Sequence, residues 1–133
     1  MAENLAAALI RFHKEVGPIL KLSNAQYGKY ADLHTVLDTI TPTLCVCDLC
    51  VVQSFTPDGG LSTQLHHISG ETLESVTPLI TGASKNALHG WGAAVTYQRR
   101  YALLALLNLA AGLDDDDGGA SKPDPVSTDD DFF

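Results

Sequence analysis

Long apolar runs are missing from this 133-residue chain. No stretch reaches 18 consecutive apolar residues, so no transmembrane helix is expected. A basic region is also missing ahead of the first apolar stretch. Met1-Ala-Glu-Asn-Leu-Ala-Ala-Ala-Leu-Ile10 is therefore a poor secretory signal. Cysteine is scarce. Cys45, Cys47 and Cys50 fall within six residues. An odd, clustered set makes a poor disulfide framework and favours a reducing cytosol. The three also lack a second cysteine pair at zinc-ligand spacing. No Gly-x-x-x-x-Gly-Lys-Ser/Thr is present, which excludes a P-loop nucleotide site. No nucleophile, base and orienting acid form a convincing set, so the chain does not read as an enzyme and no cofactor is expected.

Positive charge looks deficient too, with eight Lys and Arg against 16 Asp and Glu and a net charge of −8. That figure misleads until it is divided by region. Residues 1–113 carry seven Lys/Arg and eight carboxylates, a net of −1. Residues 114–133 carry eight Asp and one Lys, a net of −7. The acidity belongs to the tail, and the body is not excluded from binding nucleic acid. The tail has almost no apolar residue before its closing Phe132-Phe133, and it is expected to be disordered. The chain thus divides into one domain over 1–113, large enough for a core, and a tail over 114–133.

What is present reads as α+β. Leu5, Leu9, Phe12 and Val16 recur at helical spacing and predict a first helix within 3–21, ended or kinked by Gly17-Pro18. Ser23-Asn24-Ala25-Gln26 is a polar connector, and Tyr27-Gly-Lys-Tyr-Ala31 leads into a second helix near Asp32. Leu33, Val36, Leu37 and Ile40 form its apolar face, and Pro42 predicts a kink or early end. Three strand-like runs follow at Leu49–Phe55, Leu61–Ile68 and Glu71–Leu79. The short turns Pro57-Asp-Gly-Gly60 and Ser69-Gly70 join them into an antiparallel meander. A loop over 81–87 then delivers the chain to the longest predicted helix, Leu88–Ala111. Ala and Leu dominate that helix, and nearly its whole circumference is apolar. It should therefore be buried in a core or between subunits. One arc breaks the pattern, where Thr96, Arg99 and Arg100 lie together. The expected fold is an antiparallel three-stranded meander packed on a long C-terminal helix, with N-terminal helices.

Arg99 and Arg100 need anionic partners, because an unpaired buried charge is costly. Phosphates are one choice. Structural pairing with Asp32, Glu71 or a neighbouring subunit is the other, since the guanidinium fork suits carboxylate and phosphate alike. Tyr27 and Tyr30 flank Lys29 and are candidates for stacking on bases. Tyr97 and Tyr101 lie on an apolar face and are expected to pack in the core. Lys29 and Lys85 fall in predicted loops within reach of phosphates, or are simply solvated, and Lys21 is a weaker case. His66 and His67 are adjacent on a strand and point to opposite faces, so they cannot chelate a metal together.

Several of these segments, in order, resemble the ERF (essential recombination function) family of phage single-strand annealing proteins. They are Lys29-Tyr-Ala-Asp-Leu33, Leu61-Ser-Thr-Gln-Leu-His-His-Ile-Ser-Gly-Glu71, Thr96-Tyr-Gln-Arg-Arg-Tyr-Ala-Leu103 and the Asp run closing at Gly118. The most specific is the arginine-bearing helix followed by the Asp run. The resemblance spans about Tyr27 to Gly118. It implies a β-β-β-α core with flanking helices and an ATP-independent protein that coats single-stranded DNA as rings or helical filaments. Such a protein pairs complementary strands in the host cytoplasm. Where the family has a Gly-Leu lead-in to the first strand, this chain has Cys47-Asp48-Leu49.

Asp129-Asp-Asp-Phe-Phe133 resembles the acidic tips of single-stranded DNA-binding proteins. The resemblance implies that the tip meets replication or recombination proteins, or competes with DNA for the protein's own groove. A solubilising tail without a partner is the plain alternative. Two further functions stay open at this point. One is passive protection of single strands without annealing. The other is an adaptor that works through the tail.

Overall fold

The computed structural model describes residues 3–19, 23–25, 28–30, 32–80 and 87–110, with 23–25 and 28–30 described through their backbone. Helix α1 spans Leu5–Glu15. Asn4 caps it by accepting from the Ala7 amide at 2.8 Å, satisfying a donor that the first turn leaves open. The helix stops earlier than residue 21. Val16 is already extended, one residue before Gly17-Pro18. Ala8 and Phe12 are fully buried, with Leu5, Leu9 and Val16 packed around them, as the spacing predicts.

The polar connector is corrected. Ser23–Ala25 (β1) and Gly28–Tyr30 (β2) pair as a small antiparallel ribbon, with Ser23 opposite Tyr30 and Asn24 opposite Lys29. Three-residue strands are too short for an alternation signal, and these residues carry little apolar content.

Helix α2 spans Leu33–Val46 and is capped by Asp32, which accepts from the Thr35 amide at 2.8 Å. Pro42 does not end it. Proline removes one ladder bond. However, Val36 and Ile40 before it and Leu44 and Cys47 after it are all buried in the core, while Pro42 faces solvent. Continuous packing on both sides outweighs the lost bond. The chain then turns through Asp48 at φ 62°, the left-handed region. This explains the Cys47-Asp48-Leu49 departure. The position asks for glycine geometry, and Asp is among the few other residues that adopt it.

Strands β3 (Leu49–Phe55), β4 (Gly60–His67) and β5 (Thr72–Pro78) form one antiparallel sheet in the order β3-β4-β5. The register aligns Val51, Leu65 and Leu73 in one row, Gln53, Thr63 and Ser75 in the next, then Phe55, Leu61 and Thr77. These rows share the face that meets the helices. Gly59 sits at φ 87° in the first turn, and a Cβ on Gly60 would lie 3.0 Å from the Thr77 carbonyl. Both glycines are therefore required for that hairpin. On the other face, Ser62 and Gln64 donate to the Glu74 carboxylate at 2.7 and 3.2 Å and hold its pKa below the usual carboxylate value.

Helix α3 spans Ala87–Leu107. Asn108, at φ 56°, ends it in a Schellman turn. The Leu109 amide donates to the Leu104 carbonyl and the Asn108 amide to that of Ala105. Leu103, Leu104 and Leu107 are buried against Phe12, Ile40, Leu44, Leu49 and Leu65, which places the core where α1, α2 and α3 meet the start of β3. The class is α+β, as the sequence predicts.

That end of the sheet is also tied by polar contacts. The Leu5 amide donates to Glu71 at 2.7 Å, and His13 Nε2 donates to the Leu107 carbonyl at 2.6 Å. Arg11 holds Glu3 with two bonds of 2.8 and 3.0 Å, and this contact keeps the Glu3 pKa below the ordinary glutamate value. The Arg11 Nη1 also donates to the Val46 carbonyl at 3.1 Å, joining α1 to α2. Burial pushes the Cys47 thiol pKa up.

Candidate nucleic-acid interface

Helix α3 lies on the inner face of the sheet and is fixed from both edges by glutamines. From β3, Gln53 Nε2 donates to Thr63 Oγ1 at 3.0 Å and to the Arg99 carbonyl at 3.2 Å. Its Oε1 accepts from Arg99 Nε at 2.9 Å. On the other edge, Gln98 donates to the Pro78 carbonyl at 3.0 Å and accepts from the Ile80 amide at 2.7 Å. Adjacent residues of one helix thus reach opposite edges of the sheet, which sets the helix's rotation about its axis.

The rotation separates the two arginines. Arg99 is half-buried and held through Nε. Among the described residues, no acceptor meets its two terminal nitrogens. Arg100 is only 5% exposed. Its guanidinium carbon lies 4.5 Å from the Tyr101 ring centre and 5.8 Å from that of Tyr97, within cation–π range. The two tyrosines themselves pack at 4.8 Å, half-buried. Glu71, one anion considered for the arginines, is instead engaged by the first turn of α1 and by Ser69.

Other predicted site residues are less fully placed. Lys29 and Tyr30 belong to β2, known through its backbone pairing. Tyr27, Lys85 and Lys21 lie outside the described residues, as do the 81–86 loop and the tail with Asp129, Asp130, Asp131, Phe132 and Phe133. His66 and His67 do point to opposite faces. His66 bonds Gln64 on the outer face, and His67 is buried on the inner one, with Nδ1 bonded to Ser69. Among the described residues, no hydrogen-bond partner meets the buried His67 Nε2, which lies 3.9 Å from Glu3. No group of three His, Cys, Asp or Glu among the described residues is arranged to hold a metal, and no helix among them is long and apolar enough to cross a membrane.

Two exposed aromatics escape the periodicity reading. Phe55, the last residue of β3, is 53% exposed, and Trp91 on α3 is 42% exposed. Their rings meet at 5.4 Å. Helix α3 is thus not buried all round. Its first turns project past the core, and Leu88 is 78% exposed. A sequence signal did exist, because Trp91 sits between Gly90 and Gly92, both poor helix formers.

No curated protein and no solved structure matched the chain. The profile of the ERF superfamily matches residues 5–128, from the first residue of α1 into the acidic tail. That span covers most of the 133 residues and includes every element described above. The chain therefore belongs to the ERF superfamily, a family tied to DNA recombination.

Proposed function

We propose that this protein binds single-stranded DNA and anneals complementary strands without ATP, acting as an oligomer in homologous recombination. The observation that carries the reading is Arg99. Gln53 orients its guanidinium through one nitrogen, and among the described residues no acceptor meets its terminal nitrogens, which suits them to a phosphate. A planar fork held this way suits bidentate phosphate contact. Arg100, buried against Tyr97 and Tyr101, acts as a structural cation in this reading. Lys29 and Lys85 add phosphate contacts, and Tyr27 and Tyr30 add stacking. Membership of a recombination family supports the choice of DNA over other anions.

The mechanism makes and breaks no covalent bond. Cations neutralise the backbone and release counterions, so affinity falls steeply with salt. One protomer offers few contacts, and affinity accumulates as copies line the strand. The tail over 114–133 is proposed as a separate element whose Asp129–Phe133 tip meets replication or recombination proteins and competes with DNA. Its removal should then tighten single-strand binding, and unchanged affinity at low salt would contradict that role.

An annealing assay with complementary oligonucleotides tests the main reading. Faster pairing in the presence of the protein, without ATP, is the expected result. Strand binding without acceleration would leave passive protection. Absence of any binding would favour an adaptor.

A further inference from the structure

Trp is buried in most folds, and an aromatic pair in contact ordinarily closes off its own surface. Phe55 and Trp91 do neither. They touch at 5.4 Å, tilted by 45°, yet about half of each remains open. Among the described residues, a Cβ on neighbouring Gly92 would meet nothing within 4 Å.

The pair also lies along α3 from Arg99. Trp91 and Arg99 are eight residues apart on α3, about 12 Å along the axis. Their partners on β3, Phe55 and Gln53, are two residues apart on the same sheet face. A path along α3 and the edge strand β3 therefore crosses an open aromatic pair and then a guanidinium whose terminal nitrogens meet no acceptor among the described residues. Most described carboxylates lie away from this path. Glu3, Asp48 and Glu71 gather at the opposite end of the sheet, and Glu74 lies on its other face. Asp58, in the turn after Phe55, has its carboxylate bonded by the Thr56 hydroxyl.

We infer that Phe55 and Trp91 form a base-stacking platform for single-stranded DNA, continuous with the Arg99 phosphate contact. This inference rests on the single-strand reading above. Every base has a π face, so such a platform tolerates any sequence. Stacking occupies the faces of the bases and leaves their pairing edges open to an incoming strand, which an annealing protein requires.

Trp91 is the only tryptophan in the chain, so its emission reports on this site alone. The full chain is titrated with a labelled oligothymidylate, and label anisotropy and Trp91 emission are followed together. Quenching that tracks binding with the same midpoint is expected. Trp91→Leu and Phe55→Leu should each weaken binding about tenfold, within the range for a lost base–aromatic stack. Trp91→Phe should retain most of the affinity. Circular dichroism checks that each variant folds, and the emission titration of the unsubstituted chain needs no variant at all.

A rise in anisotropy with flat emission, and leucine variants that bind like the parent, would overturn the platform and leave the single-strand reading standing. No rise in anisotropy would overturn both. Emission that responds to an Asp129–Phe133 peptide but not to the oligonucleotide would assign the pair to the tail instead.

Discussion

The two ends of the sheet are built for different work. Where β3 begins, the inner face is closed. Leu49 and Leu65 meet Phe12, Ile40, Leu44 and Leu107, and Glu71, Arg11 and His13 tie the helices together. Where β3 ends, Phe55, Trp91 and Leu88 stand open beside the first turns of α3. One helix serves both ends, with its C-terminal half in the core and exposed side chains on its first turns, where Gly90 and Ala94 are still buried. The difference teaches that an apolar helix can be anchored at one end and offered at the other. Stability should depend on the closed end, and ligand contact on the open one.

The largest test of that division lies at the closed end. Phe12→Ala should cost about 3–5 kcal/mol in urea unfolding, as expected for emptying a fully buried aromatic site. Trp91→Leu should cost no more than about 1 kcal/mol, since nearly half of the ring already faces solvent. Equal losses would erase the distinction between the ends. Arg100→Ala comes next, at about 2–3 kcal/mol, because it empties a buried site packed on two aromatic rings. A variant of normal stability that has lost only DNA binding would move Arg100 into the interface.

Smaller effects sharpen the comparison. Asp48→Gly should stabilise the closed end by about 0.5–1 kcal/mol by relieving left-handed backbone at φ 62°, visible as a raised melting temperature. The least is the acid response. Glu3 and Glu74 have lowered pKa values, from the Arg11 contact and from the Ser62 and Gln64 bonds respectively. A depressed carboxylate pKa contributes stability that is present above the unfolded value of about 4.3 and is lost as pH falls through the folded value. Denaturant midpoints measured from pH 6 to pH 3 should therefore drop in the lower half of that range. Glu74→Gln should flatten the drop, and a parallel curve would show that its bonds contribute nothing.

Much of this architecture is legible in the sequence because it follows local rules. The β3–β5 meander falls within a residue of its expected bounds, since two glycine-bearing turns bracket its strands. Asp32 marks the start of α2 by its capping chemistry. What escapes depends on tertiary placement. The β1–β2 ribbon is too short to show alternation, and the run of α2 through Pro42 is decided by packing on either side. Arg99 and Arg100 are neighbours in sequence, and only the rotation of α3, set by Gln53 and Gln98, separates their environments. Trp91 looks like one more apolar residue of a greasy helix until the overhang of α3 is known.

Arg99→Ala tests the central claim most directly, with single-strand affinity measured across a salt series and particle size measured alongside. Binding to every sequence should weaken, with a salt slope reduced by about 0.7, the value for one phosphate contact on a single strand, and with assembly unchanged. Unchanged affinity and slope, or loss of assembly in place of loss of binding, would contradict it.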